Sequence, residues 1–197
     1  ILDLFQSQFP DSIKLMPNLV EEFQNNPIGD LASVYCKPWH FGDKALLIGD
    51  AAHAVVPFFG QGMNASFQDC STLEKLMGQN ENDWETIFNA FSSTQVENGH
   101  AIADMALENY LEMRDHVNDP EYKKRRAVEL KLERMYPGQF IPRYSMVAFH
   151  QIPYSEVYER GEIQFKIINE LLKLDPSGKS IDRELVKNML PKSSLNT

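Results

Sequence analysis

The stretch from Lys44 to Asn64 limits the fold of this chain more than any other: a compact apolar run closed by Gly49-Asp50, then a loop of small residues, then a helix start led by glycine. Lys44 to Ile48 reads as a buried strand. Asp50 then places a carboxylate at the C-terminal end of that strand, where open α/β sheets bind ligands, and it can accept hydrogen bonds from polyol hydroxyls. Ala51 and Ala52 allow close backbone approach. Gly60 and Gly62 open a helix whose first N–H groups have no internal partner, so that end attracts negative charge, and Met63 and Asn64 present the amides. On the residues alone this is an anion-receptive helix end beside a carboxylate, which suits a cofactor site and an ordinary strand-to-helix turn equally. It is not a full dinucleotide fingerprint, because no glycine stands three residues after Gly62.

Around this stretch the pattern is mainly helical. Residues 1–30 carry Pro10, Pro17 and Pro27 and predict short helices and turns; Leu31 to Lys37 predicts a further strand ended by Pro38. The helix from Gln61 to about Gly78 sets Met63, Phe67, Cys70, Leu73 and Met77 on one face. A longer helix from Trp84 to His116 lines up Ile87, Phe88, Phe91, Ile102, Met105 and Met113, with Asn109 among them. Asp119-Pro120 is a cap and first-turn proline for a charged helix ending near Pro137-Gly138. Phe140 to Phe149 is expected to be extended or irregular. Helices over Glu156 to Leu174 and Ser180 to Leu190 should flank a turn at Asp175 to Gly178.

Charge and composition exclude several functions. A formal net charge of -9 opposes nonspecific nucleic-acid binding. Cys36 and Cys70 lack the spacing of a disulfide framework or zinc knuckle, and the histidines lack metal-site spacing, so no metal is expected. His53, in a small-residue loop, reads as a structural hydrogen bonder, and no catalytic side chain is assigned. The run Lys123 to Arg126 is offset by Glu121, Glu129 and Glu133, as on a solvated helix. No run of eighteen apolar residues occurs that would span a bilayer. The chain opens on Ile1, within what reads as a helix interior, so it is expected to be a piece of a longer protein.

The order Gly49-Asp50-Ala51-Ala52-His53, then Pro57, then Gly60-Gln61-Gly62-Met63-Asn64, resembles the second flavin-contacting motif of the class A FAD-dependent aromatic hydroxylases. Pro57 to Ala65 with Phe67 and Asp69-Cys70, together with Asn109 to Arg114 and Pro142 to Val147, resembles the branch that hydroxylates kynurenine. Ser66 and Gln68 depart from the glycine and glutamate expected there; both are helical positions after the contact residues.

The resemblance implies an α/β fold: the C-terminal part of a Rossmann-like FAD-binding domain plus a mostly helical C-terminal domain. Its divisions would be residues 1–37 (end of a substrate-binding domain), 38–116 (FAD-binding part) and 117–197 (helical domain). It implies FAD contacts from Asp50, Pro57, Gly60, Gly62, Met63 and Asn64, and L-kynurenine contacts from Pro57, Phe58, Gln61, Asn109 and Tyr144, with Phe59 completing a dry wall. NADPH and O2 would be co-substrates, and the N-terminal half of the same enzyme would hold the FAD adenine and pyrophosphate. The implied location is the cytosolic face of the outer mitochondrial membrane, anchored by a segment outside this chain. Two alternatives stand beside this reading: a class A hydroxylase of another aromatic acid, and a non-catalytic flavin-fold module that binds a partner.

Overall fold

A computed structural model describes residues 1–81, 83–116 and 118–191 of the chain, and it separates into two compact units, residues 1–31 and 32–197. The first unit holds helix α1 (Leu2–Gln8), a 3-10 turn at Ile13–Leu15 and helix α2 (Leu19–Asn25), the short helices and turns that its prolines predict.

The second unit begins with strands β1 (His40–Phe41) and β2 (Ala45–Leu46), paired antiparallel. It continues through the single-turn helix α3 (Asp50–His53), a 3-10 turn at Pro57–Phe59, and helices α4 (Gly62–Gln79) and α5 (Trp84–Leu111). Residues Glu112–His116 extend α5 as a wider π-type turn. Helices α6 (Pro120–Met135), α7 (Arg143–Phe149), α8 (Tyr154–Leu174) and α9 (Arg183–Met189) complete the unit. Residues 117 and 192–197 of the expected C-terminal domain lie outside the described residues.

Helix α5 is the spine. Its buried residues Ile87, Phe91, Gln95, Asn98, Ile102 and Met105 recur every three or four positions and form one continuous face. One end of that face packs with Trp39 and Ala52; the other joins Met146, Val147, Tyr154 and Val157 from α7 and α8. A separate core of Val128, Leu132, Phe140, Ile167, Leu171 and Val186 joins α6, α8 and α9. Asp119 caps α6 by accepting the Glu121 N–H at 2.9 Å, ahead of Pro120, and Lys124–Glu121 and Arg126–Glu129 pair on its surface.

Three local expectations are corrected. Residues 31–37 enter no sheet among the described residues; the Val34 N–H donates instead to the Ala54 carbonyl at 2.8 Å. The run 44–48 contributes only Ala45–Leu46 to a ladder, leaving Leu47 and Ile48 exposed, because a strand is buried by neighbours and here it has only β1. Residues 143–149 are helical: Met146 and Val147 bury against α5 and α8, and that packing overrides weak local propensity. On α4 the face carrying Met63, Phe67, Cys70 and Met77 is exposed, while Ala65 and Asp69 point inward.

Candidate functional site

Gly49 sits at φ +59, a conformation that costs an L-side chain but not glycine, and a Cβ there would lie 3.2 Å from Ser66 Oγ. The turn before α3 is therefore pressed onto α4. Its N–H donates to Asp69 Oδ2 at 2.9 Å, His53 Nε2 lies 2.6 Å from the same oxygen, and Gln95 Nε2 donates to Asp69 Oδ1 at 3.0 Å. The chain of bonds continues inward. Asn98 Nδ2 donates to Gln95 Oε1 at 2.8 Å, and Asn98 Oδ1 accepts from Ser155 N and Oγ at 3.0 and 2.9 Å. His53, Asp69, Gln95 and Asn98 are all buried, so each such bond removes a polar group that would otherwise be costly to leave unpaired. His53 is thus a structural hydrogen bonder, packed against the fully buried Trp39 ring at 5.1 Å.

Beyond this network Asp50 is exposed, and its side chain takes no hydrogen bond or ion pair among the described residues. The next turn is held at Phe58 and at Phe59. Phe58 packs on Tyr110 with centroids 4.5 Å apart, Phe59 stacks on Tyr144 at 5.7 Å, and the Phe58 carbonyl accepts from Asn109 Nδ2 at 2.7 Å. Gly60 then turns the chain at φ +68 into α4. The first helical bond of α4 runs from the Ala65 N–H to the Gln61 carbonyl, so the amides of Gly62, Met63 and Asn64 have no intrahelical acceptor, and no side chain among the described residues caps them. Gln61 is buried; its Oε1 accepts from Asn64 Nδ2 and the Tyr154 hydroxyl, both at 3.1 Å. Burial, with a smaller contribution from the Asp69 carboxylate, raises the Tyr154 phenol above its ordinary range and keeps it a donor.

Asn109 and Tyr144 meet on the wall of one cavity of about 620 Å3, which also takes in Phe59, Glu108, Glu112, Tyr122, Arg125, Arg126, Glu129 and Arg143. Pro57, Phe58 and Gln61 lie off that wall. Four of its charges are paired internally. Arg143 binds Glu108 at 2.6 Å, Arg126 binds Glu129, and a hydrogen bond to Glu112 followed by burial pushes the Tyr122 phenol up to about 12. Burial raises the Glu129 carboxyl, against the opposing pull of Arg126.

Sequence reading passed over Gln95, Asn98, Tyr154 and the Arg143–Glu108 pair. The first two carried a signal, since both fall on the apolar stripe of α5, where a polar residue needs a buried partner.

Comparison with known proteins supplies first a class: residues 11–87 match the family described as FAD binding domain. Over most of its length the chain is similar to kynurenine 3-monooxygenases. It is 45% identical to that of Myxococcus xanthus over 190 residues, covering 94% of this chain and 41% of the relative. It is 42% identical to that of Sus scrofa over 174 residues (87% and 37%) and 41% identical to that of Cytophaga hutchinsonii over 185 residues (93% and 41%). The chain spans about two fifths of the length of these curated relatives.

Proposed function

We propose that this chain is the C-terminal part of an FAD-dependent monooxygenase that hydroxylates L-kynurenine to 3-hydroxykynurenine with NADPH and O2. One observation carries the reading: an exposed carboxylate at Asp50 and a helix N-terminus at Gly62–Asn64, neither with a side-chain partner among the described residues, flank one turn that three separate contacts hold in place. These residues fit the group. The carboxylate suits ribitol hydroxyls, and the free amides with the positive end of the helix dipole suit an electron-rich ring edge, worth about 0.3–2 kcal/mol. Pro57, with the Gly60 and Gly62 backbone, would border the ring.

Bound FAD supplies the redox chemistry that joins NADPH and dioxygen to ring hydroxylation. The work of this chain is placement. Asn109 and Tyr144 would hold the substrate carboxylate, while Phe58 and Phe59 exclude water and orient the aromatic ring. Gln61, engaged with Asn64 and Tyr154, would act on the substrate side by stiffening the turn that carries Phe58 and Phe59.

Exposed Leu47 and Ile48 support a sheet completed by further strands of a Rossmann-like domain from the N-terminal half of the same enzyme, which would also hold the adenine and pyrophosphate. The chain alone is therefore proposed to be inactive. Attachment to the cytosolic face of the outer mitochondrial membrane follows from the resemblance. No described helix is long and apolar enough to cross a membrane; by the same resemblance, the anchor would be another segment.

The test is NADPH oxidation by the complete protein. Kynurenine should accelerate it and yield 3-hydroxykynurenine; acceleration only by other aromatic acids would indicate a different hydroxylase, and a complete protein that never retains FAD would indicate an interaction module.

A further inference from the structure

Two parts of the proposed flavin site arrive on different elements. Asp50 stands at the start of α3, and the free amides stand at the start of α4. Contacts at Phe58 and Phe59 anchor the α4 side of the segment between them, but residues 54–56 form no regular structure, so the placement of α3 on α4 calls for a direct tie. It can come from Asp69. That residue lies on the rigid body of α4, about two turns beyond Met63, with 2% of its surface exposed. Its Oδ2 takes the N–H of Gly49, the residue immediately before Asp50, and its Oδ1 takes Gln95 from α5. His53 Nε2, at the far end of α3, reaches the same Oδ2. Both ends of the four-residue α3 are therefore tied to one side chain of α4.

We propose that Asp69 is a positioning residue for FAD: it sets the Asp50-bearing turn in register with the N-terminus of α4, and so acts on the cofactor through Asp50 without touching it. The inference rests on the flavin reading above. Gln95 belongs to the device, because its amide fixes the rotation of the carboxylate, and Asn98 and Ser155 in turn fix that amide. Asn at position 69 would keep the volume but turn one acceptor into a donor facing a donor, leaving a buried group unpaired.

A mutant cycle on FAD affinity in the complete protein separates positioning from general destabilisation. Titration of apoprotein with FAD, followed by flavin fluorescence well below the melting temperature, is run on the parent, Asp50→Asn, Asp69→Asn and the double variant. Asp69→Asn should weaken binding roughly tenfold beside an intact Asp50 and less than about threefold beside Asp50→Asn. Equal losses in the two backgrounds overturn the positioning role and leave the flavin reading standing. Parent-like affinity in Asp50→Asn overturns the flavin reading, and this inference with it. If Asp69→Asn fails to fold, Gln95→Met, which frees the carboxylate to rotate, replaces it in the same cycle: a loss only beside intact Asp50 supports the role, and equal or no loss refutes it.

Discussion

Asn109, near the end of α5, donates through Nδ2 to the backbone carbonyl of Phe58 at 2.7 Å, fixing a helix side chain to the turn from which α4 starts. An amide nitrogen carries two hydrogens, and among the described residues the second meets only the weak acceptor Met113 Sδ at 3.7 Å. On the proposed reading, a substrate carboxylate would take the place of that weak acceptor. Asn109→Ala should therefore raise the KM for kynurenine roughly tenfold, the loss of one bond to a charged group, while bound FAD per chain changes far less, because the Phe58–Tyr110 and Phe59–Tyr144 contacts still hold the turn. Steady-state kinetics with flavin absorbance checks both, and an unchanged KM would remove Asn109 from the substrate site.

Asp50 gives the complementary case. Its carboxylate has no protein partner among the described residues, so removing it orphans nothing within the chain. Asp50→Ala should leave the melting temperature of the apoprotein unchanged and weaken FAD binding by about 1–3 kcal/mol, roughly five- to 150-fold. A shift in apoprotein stability of similar size would mean that Asp50 serves the fold instead.

What the sequence disclosed follows from the range of the interactions involved. Helices α4, α5, α6, α8 and α9 were readable because their caps, prolines and three-to-four spacing are local; Asp119-Pro120 is the plainest case. The strands were not, since a ladder needs neighbours, and Leu47 and Ile48 look apolar whether or not a partner strand exists in this chain. The same limit applied at α4, where periodicity located a stripe through Met63 and Phe67 but could not say that Ala65 and Asp69 face inward. At the site, Asp50 to Asn64 were legible as an ordered motif. The partners of that motif, Gln95, Asn98 and Tyr154, lie 26 to 93 residues from the atoms they or their neighbours bind, and only folding brings them together.

Two glycines should respond in opposite directions to the same added methyl. At Gly99, within α5, a Cβ would fall 2.6 Å from Trp39 Cη2 and 3.0 Å from His53 Cβ, and the Trp39 ring is wholly buried with nowhere to move. Gly99→Ala should cost about 1–3 kcal/mol by overpacking. At Gly78, in the last turn of α4, a Cβ meets nothing within 4 Å, so Gly78→Ala should stabilise by about 0.5–1 kcal/mol through helix propensity. Thermal melts of the two variants beside the parent decide the signs.

The turn between α8 and α9 is held by one carboxylate. Asp175 accepts from Ser177 Oγ at 2.6 Å and N at 2.9 Å, and from Ser180 Oγ at 2.7 Å and N at 2.8 Å. The Ser177 hydroxyl, then that of Ser180, holds its carboxyl well below the ordinary 3.8. A depressed carboxylate binds its proton more readily in the unfolded chain, so its contribution is complete above pH 4 and fades as pH falls below that value. Asp175→Asn should therefore melt below the parent at pH 7, with the gap narrowing as pH is lowered from about 4 towards 2. Melting temperatures of both proteins across that range measure the gap directly; a gap that stays constant with pH would show that the serine bonds act through geometry alone, independent of charge.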